Sequence, residues 1–178
     1  YQGLDWDLVG EGRHFWPVPE KGHPGTPILH IGEFPRGRGL FMTPDYRDPA
    51  EVVSDDYPVW LTTGRRLAHY HTRTMSGRSV GTEYLVPEEL IEIHPEDVLE
   101  WGLEDGGLAK MSSPRGEVVV KVLADDTSPR GTVFCSFSFS EIPVNKLTGS
   151  GYDPITDTAE LKVCPVRLES AAKSPSQG

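Results

Sequence analysis

Basic, imidazole and hydroxyl side chains are concentrated in one short segment of this chain, LTTGRRLAHYHTRTM at residues 61–75. Its cationic and imidazole groups are Arg65, Arg66, His69, His71 and Arg73, and its hydroxyls are Thr62, Thr63, Thr72 and Thr74. Guanidinium groups bind phosphate oxygens in pairs, and imidazole and hydroxyl groups add further hydrogen bonds. The segment follows a short apolar strand, and Gly64 allows the backbone to turn or to approach a ligand closely. This combination indicates a site for a large polyanionic ligand.

Acidic residues are missing from the neighbourhood of this segment. The 26 residues from Tyr57 to Thr82 contain no Asp or Glu, whereas the chain's 27 acidic residues would place about four in a segment of that length. A local positive field therefore lies inside a chain of formal net charge −10. Each residue taken alone has an ordinary interpretation, since a single arginine is often a solvated surface charge and a single histidine a hydrogen-bonded structural residue.

The composition argues against several classes of function. Extended nucleic-acid binding and a polybasic membrane-surface role both require many Lys and Arg residues, which a chain of net charge −10 does not offer. No apolar run is long enough to span a bilayer, and the first residues lack the regions of a secretory signal. We expect a cytoplasmic protein with no nucleic-acid partner and no direct membrane contact. The absence of a starting methionine at Tyr1 fits a processed terminus, a trimmed chain or a piece of a larger protein.

The two cysteines have no spacing that suggests a metal or cluster. Cys135 and Cys164 lie 29 positions apart in apolar, strand-like sequence, without a CxxC pair or a nearby Cys/His cluster. We expect two buried thiols in preference to a disulfide or a ligand pair.

The first 57 residues differ in composition from the rest of the chain. Residues 1–57 hold seven prolines and eight glycines and show little periodicity. Their aromatic residues, which are costly to leave in water, include Trp6, Phe15, Trp16, Phe34 and Phe41. We predict an extended Pro/Gly-rich arm that packs on partner or preceding domains.

Short strands are predicted from residue 58 onward. They cover 58–61, 90–93, 108–113, 117–123, 132–139 and 160–169, the last interrupted by Pro165. A short helix at 95–101 has Pro95 in its first turn and Gly102 as its stop. Because each strand is too short and too one-sided for a buried parallel sheet, we predict a mostly β barrel at 58–170, followed by a flexible tail at 171–178.

Several phrases of the sequence occur in the order and spacing of one known family. Besides residues 61–75 they are IEIHPEDVLEWGLEDGGLAKMSSPRGEVVVK (91–121), GTVFCSFSFSEIPVNKLT (131–148), DPITDTAELKVCPVRLE (153–169), and in the arm WPVP (16–19) and HPGTPIL (23–29). Together they resemble the C-terminal cofactor-binding domain of molybdenum- or tungsten-dependent formate dehydrogenases, over roughly residues 15–169. The resemblance implies a double-psi β-barrel with short helices and an extended N-terminal arm. It also implies a bis(molybdopterin guanine dinucleotide) cofactor with Mo or W, shared with the rest of the catalytic unit.

The resemblance further implies which residues contact this cofactor. They are Thr63, Gly64, Arg65, Leu67, His69, Tyr70, His71, Thr72 and Met75, with Phe137, Asn145 and Lys162 from later in the chain. The amide of Asn145 suits a pterin edge, although Asn145 also fits a turn cap, and Lys162 offers a charge but also fits a solvent-facing position. Ser138 stands where many relatives have a histidine and Leu161 where an aromatic is common, so we expect a differently shaped pterin end.

The metal-binding and electron-transfer motifs of this family do not occur in the sequence. In the family, formate oxidation uses a selenocysteine or cysteine ligand, a neighbouring histidine and arginine, and an iron–sulfur cluster. We therefore expect no catalytic residue and no metal ligand here, and no activity of the chain alone. The chain is expected to be a small subunit of a split dehydrogenase or the C-terminal part of a longer one. Its partner is then the large catalytic subunit or the preceding domains, which carry the metal ligand and the iron–sulfur cluster.

Two other functions also fit the sequence. The chain resembles, less closely, the barrel subunit of formylmethanofuran dehydrogenase or the barrel of another molybdopterin oxidoreductase. A barrel used only for protein interaction is the alternative from a different class, because a fold by itself does not determine function.

Overall fold

The computed structural model describes residues 1–34 and 36–171. The chain divides into two compact units, Tyr1–Tyr46 and Arg47–Gly178. The sequence placed this division at residue 57, but residues 47–57 belong to the second unit. There Glu51 pairs with Arg115 at 2.6 Å, and Arg167 donates to the carbonyl oxygens of Asp55 and Asp56. The predicted tail lies outside the described residues apart from Ala171, whose N–H donates to the carbonyl of Leu108 at 2.8 Å.

The first unit contains one short helix in its described part, α1 (Trp6–Gly10). Asp5 caps it by accepting a hydrogen bond from the N–H of Leu8 at 2.9 Å, and this bond lowers the pKa of the Asp5 carboxyl. Several aromatic side chains of the unit are largely exposed, including Trp6 at 89% and Phe41 at 93%. Such uncovered apolar surface is expected of an arm that packs on another part of a protein.

Six strands in the described part of the chain form a closed barrel with the neighbour order β1-β5-β2-β4-β3-β6. They are β1 (Val59–Gly64), β2 (Leu90–Ile93), β3 (Leu108–Ser113), β4 (Gly116–Ala124), β5 (Thr132–Ser136) and β6 (Cys164–Ser170). The pairs β1/β5 and β2/β4 are parallel, and the other four are antiparallel. This arrangement confirms the predicted mostly β, double-psi barrel. Closure leaves no strand edge open for pairing with another chain.

The helices of the second unit are short. They are α2 (Val80–Leu85), α3 (Pro95–Glu100), and single 3₁₀ turns at Ser76–Arg78 and Val144–Lys146. The predicted α3 is confirmed: the His94 ring accepts from the N–H of Glu96 at 3.2 Å, and Gly102 ends the helix region with φ 65°. No helix in the described ranges is long and apolar enough to cross a membrane.

The barrel core is built from alternating aliphatic residues, as the period-2 pattern predicts. On β4, for example, Val118, Val120 and Val122 point inward. Each buried aliphatic side chain stabilises the fold by about 1.5–3 kcal/mol. Cys135 and Cys164 lie in this core as free thiols, which confirms the expected pair of buried thiols. Burial raises the pKa of both.

Three strand ends differ from the predicted ones by more than one residue, and each of these differences shapes one end of the barrel. Parallel pairing with β5 extends β1 as far as Gly64. In turn, β5 ends at Ser136, which leaves residues 137–139 outside the sheet. Finally, β6 begins only at Cys164, because the carbonyl of Leu161 and the amine of Lys162 bond to Thr63 instead.

Candidate functional site

The barrel places two chain segments side by side at one end. Because β1 and β5 run parallel and pair Gly64 with Ser136, both leave the sheet in the same direction. Residues 65–75 follow β1 and are called the basic loop, and residues 137–145 follow β5 and are called the 137–145 segment. The N–H of Phe137 donates to the carbonyl of Gly64 at 3.3 Å, which joins the two segments at their start.

Gly64 is needed here for close packing, not for a turn. A Cβ at this position would lie 2.5 Å from Cε2 of Phe134, a separation that real Cβ atoms do not tolerate. The left-handed backbone of the loop occurs instead at His71, with φ 50°, and at Arg73, with φ 63°. Of the two roles that the sequence allowed for Gly64, the turn is therefore wrong, and the close approach to a ligand stays a prediction.

Arg65 and His71 project outward from the basic loop. The Arg65 guanidinium lies 5.9 Å from the centre of the Phe137 ring, and the His71 ring lies 5.3 Å from the same ring. Arg65 forms no ion pair with any described residue, so its charge is available to an anion. A cavity of about 570 Å³ beside it is lined by Arg65, Arg66, Leu67, His69, Tyr70 and His71.

Arg66 turns inward, contrary to its expected role as a phosphate donor. It pairs with Glu89 at 3.1 Å and with Glu92, and it donates to the carbonyl of Leu90 at 2.5 Å. Glu89 is only 1% exposed and also accepts from the N–H and the hydroxyl of Ser136. This buried network anchors the beginning of the basic loop to the barrel.

His69 is buried and uses both ring nitrogens inside the protein. Its Nε2 donates to the carbonyl of Val86 at 2.7 Å, and its Nδ1 is hydrogen-bonded to the hydroxyl of Ser76 at 3.1 Å. The ring also packs edge-on against Phe139, with 5.2 Å between ring centres. His69 therefore supports the shape of the loop.

Thr63 has a similar supporting position. It is 2% exposed, and its hydroxyl donates to the carbonyl of Leu161 at 2.6 Å. Its own carbonyl accepts from Nζ of Lys162 at 2.5 Å. The structure thus brings Lys162 to the end of β1, next to Gly64, while the residue remains exposed, so its cofactor contact stays a prediction beside the solvent-facing alternative.

A second, smaller cavity lies between the two segments. Its volume is about 190 Å³, and its lining is Thr72, Phe137, Ser138, Phe139, Ser140, Pro143, Val144 and Asn145. Ser138 is 1% exposed, and its hydroxyl has no hydrogen-bond partner among the described residues. A buried hydroxyl left unpaired costs about 1–3 kcal/mol, so a polar ligand group that reaches it gains that free energy. Asn145 is exposed, and its backbone carbonyl accepts from the Thr148 hydroxyl at 2.9 Å.

The structure brings most of the predicted contact residues to this end of the barrel. Exposed members of the set are Arg65, Leu67, Tyr70, His71, Thr72, Met75, Asn145 and Lys162, and partly or fully buried members are Thr63, Gly64, His69 and Phe137. The apolar Leu67 and Met75 are exposed at 107% and 72%. Sequence reasoning missed Glu89, which lies seven positions beyond Thr82, the last residue of the acid-free stretch.

Comparison with known proteins identifies relatives of the chain. Residues 59–165 match the family model described as Molydopterin dinucleotide binding domain. The chain is 39% identical over 171 residues to F420-dependent formate dehydrogenase 2 subunit alpha of Methanococcus maripaludis. It is 40% identical over 172 residues to F420-dependent formate dehydrogenase subunit alpha of Methanocaldococcus jannaschii. Each match covers 95% of this chain and 25% of the relative, so the chain spans about a quarter of the length of these curated relatives.

A solved structure has the same fold. Acetylene hydratase from Pelobacter acetylenicus aligns with a TM-score of 0.65 and 15% identity, covering 95% of this chain and 28% of that chain. At this identity the likeness concerns the fold alone. The family model, by contrast, covers most of the barrel, including both segments that line the candidate site. The chain therefore belongs to the molybdopterin dinucleotide-binding domain family, as the resemblance of its sequence predicted.

Proposed function

We propose that this chain forms one wall of the site for a bis(molybdopterin guanine dinucleotide) carrying Mo or W, in an enzyme that interconverts formate and carbon dioxide. The observation that carries the proposal is that two features occur at the same end of the barrel. Among the described residues, Arg65 has no carboxylate partner, and the buried hydroxyl of Ser138 has no hydrogen-bond partner. The relatives at 39% and 40% identity are formate dehydrogenase alpha subunits, which supports this reaction.

The larger cavity suits the nucleotide end of such a cofactor. Arg65 donates to a diphosphate as a charged fork, and His71 and Thr72 add imidazole and hydroxyl donors. Exposed apolar or aromatic groups at Leu67, Tyr70 and Met75 offer surface on which a guanine ring packs. The donor set therefore fits a phosphorylated, partly aromatic ligand.

The smaller cavity suits a polar heterocycle. Thr72, Ser138 and Asn145 line it with two hydroxyls and an amide, which match the alternating donors and acceptors of a pterin edge. Phe137 lines the smaller cavity and contacts Arg65 and His71 of the larger one, while Thr63, Gly64 and His69 hold the loop backbone in place. Lys162 adds a positive charge beside Gly64.

The residues of this chain bind and orient the cofactor and exclude water from it, and the bound cofactor supplies the redox-active metal centre. The metal ligand and the iron–sulfur cluster belong, in this proposal, to a large catalytic subunit or to preceding domains. Coenzyme F420 is the proposed electron acceptor, because the names of both methanococcal relatives include F420 dependence. We further propose that the enzyme is cytoplasmic and that this chain alone does not oxidise formate.

Replacement of Arg65 tests the proposal. In the complete enzyme, Arg65→Ala removes a hydrogen bond to a charged group worth about 1.5–3 kcal/mol, which corresponds to roughly 10- to 150-fold weaker cofactor binding. Metal and pterin content after gel filtration, measured by mass spectrometry and by fluorescence of the oxidised pterin, gives the readout. Arg78→Ala is the matched control, because Arg78 is exposed and forms no ion pair within the described ranges.

Equal cofactor content in the Arg65 and Arg78 variants contradicts the proposal. Isolation of the native assembly with its protein partners but without any pterin would instead favour the protein-interaction barrel. Pterin together with a partner that acts on another substrate would favour a different molybdopterin oxidoreductase.

A further inference from the structure

Arg73 lies at the centre of a side-chain cluster that the proposed function does not use. Its Nε donates to Oε1 of Glu83 at 2.8 Å, and its Nη2 reaches Oε2 of the same carboxylate at 3.4 Å. Its Nη1 donates to Oε2 of Glu141 at 3.0 Å. The guanidinium also lies 4.5 Å from the centre of the Phe139 ring. One side chain thus makes two charge-assisted contacts and one stacking contact.

These contacts join three separate parts of the second unit. Arg73 belongs to the basic loop, Glu83 to α2, and Phe139 and Glu141 to the 137–145 segment. Phe139 also packs against His69, so its ring contacts two residues of the basic loop, His69 and Arg73. Glu83 and Glu141 lie outside the acid-free stretch, 10 and 68 positions from Arg73.

The backbone of Arg73 shapes the loop as well. Its N–H donates to the carbonyl of Tyr70 at 3.0 Å, and its carbonyl accepts from the N–H of Gly77 at 2.8 Å. Its φ of 63° is unfavourable for a residue with a Cβ, and such a backbone conformation persists only where surrounding contacts stabilise it. The contacts of the Arg73 side chain with Glu83 and Glu141 stabilise this conformation.

The positions linked in this way are those proposed to contact the ligand. His71 and Thr72 directly precede Arg73, while Phe137 and Ser138 lie just before Phe139 and Glu141. The cavity of about 190 Å³ is bounded by residues of both segments. A change in the distance between the segments therefore changes the width of this cavity.

We propose that Arg73 is a positioning residue, which locks the basic loop to the 137–145 segment so that the two face a single ligand. This inference rests on the proposed function, and it assigns Arg73 no contact with the cofactor. Arg65, which is unneutralised among the described residues, and Arg73, which is neutralised twice, then have different tasks within one loop. The hydrogen bond with Glu83 raises the pKa of Arg73, so its charge is constant at any working pH.

Hydrogen exchange in the complete enzyme prepared without cofactor tests the link directly. Arg73→Ala is expected to increase amide exchange by about tenfold in both segments, with no change in β3 and β4. Glu141→Gln, which alters an exposed partner and leaves the fold intact, is expected to give a smaller increase in the same two segments. Arg78→Ala serves as the control and leaves exchange unchanged. Unchanged exchange in residues 137–145 of the Arg73→Ala protein would overturn the inference.

Cofactor retention provides the second readout. Arg73→Ala is expected to reduce metal and pterin content about tenfold, although Arg65 remains in place. Arg73→Lys is expected to retain more cofactor than Arg73→Ala but less than the wild type, because an ammonium group cannot bridge two carboxylates as a guanidinium does. If Arg65→Ala loses cofactor but Arg73→Ala does not, the positioning role is wrong and the proposed function stands. If neither variant loses cofactor, the proposed function itself fails.

Discussion

Removal of the Ser138 hydroxyl is expected to raise the stability of the empty protein and to reduce the extra stability that the cofactor confers. In the empty protein this hydroxyl is buried and has no partner in the described part of the chain. Ser138→Ala therefore removes an unpaid desolvation cost of about 1–3 kcal/mol and raises the free energy of unfolding by that amount. The melting temperature of the empty protein is therefore expected to rise.

In the loaded protein the same substitution deletes a hydrogen bond to the pterin. A loss of about 1–3 kcal/mol of binding free energy, roughly a 5- to 150-fold weaker affinity, is expected because the variant has no unpaired hydroxyl for the ligand to satisfy. Because a ligand stabilises the folded state in proportion to the logarithm of its affinity, the extra thermal stability conferred by cofactor shrinks in the variant. The two effects have opposite signs, which a general packing defect does not produce.

Thermal unfolding of the complete enzyme, with and without cofactor, measures both effects. Ser140→Ala is the matched control, since Ser140 lines the same cavity but is exposed and already interacts with Glu141 at 3.4 Å. We expect the control to match the wild type in both states. A lower melting temperature of the empty Ser138→Ala protein, or an unchanged cofactor affinity, would refute the reasoning.

Three further outcomes are expected. Gly64→Ala should cost about 1–3 kcal/mol in urea unfolding because its Cβ meets Phe134, whereas Gly116→Ala, which meets no atom within 4 Å, should be nearly neutral; equal costs would contradict the packing role. Glu89→Ala should cost about 3–5 kcal/mol, because it removes the buried carboxylate that pairs with Arg66 and accepts from Ser136. Glu88→Ala should cost at most about 1 kcal/mol, because its ion pair is exposed, and similar denaturant midpoints for the two variants would contradict this difference. Burial raises the pKa of the Cys135 and Cys164 thiols, so both should resist iodoacetamide at pH 8 in the native protein and both should react in urea. Labelling of either thiol in the native protein would count against a closed core.

The barrel was predictable because its strands carry a local signal. Alternating valines on β4 and the turn at Pro114 indicate a hairpin from neighbouring residues alone, and Pro95 and Gly102 bracket α3 in the same way. In contrast, α2 has only six residues and includes Gly81, so it shows no helical periodicity, and it was missed.

The basic loop was predictable as a site but not in its internal division of tasks. Its donors are contiguous in sequence, so their concentration is visible without a structure. Arg66 and Arg73 are neutralised by carboxylates that the fold brings from elsewhere, such as Glu89 and Glu141. The absence of acidic residues from one stretch of sequence concerns only residues that are close along the chain. The folded barrel brings carboxylates from other parts of the sequence close to these arginines. The unpartnered hydroxyl of Ser138 likewise depends on where β5 ends, which the apolar run at 132–139 does not reveal.

A structure of the complete, cofactor-loaded enzyme would show whether the basic loop holds the cofactor. We expect Arg65 nitrogens within about 2.7–2.9 Å of diphosphate oxygens, as in charge-assisted hydrogen bonds, with the Ser138 hydroxyl bonded to the pterin. Arg73 should keep its contacts with Glu83 and Glu141. A basic loop that faces solvent or a protein surface, with the cofactor bound elsewhere, would contradict this expectation.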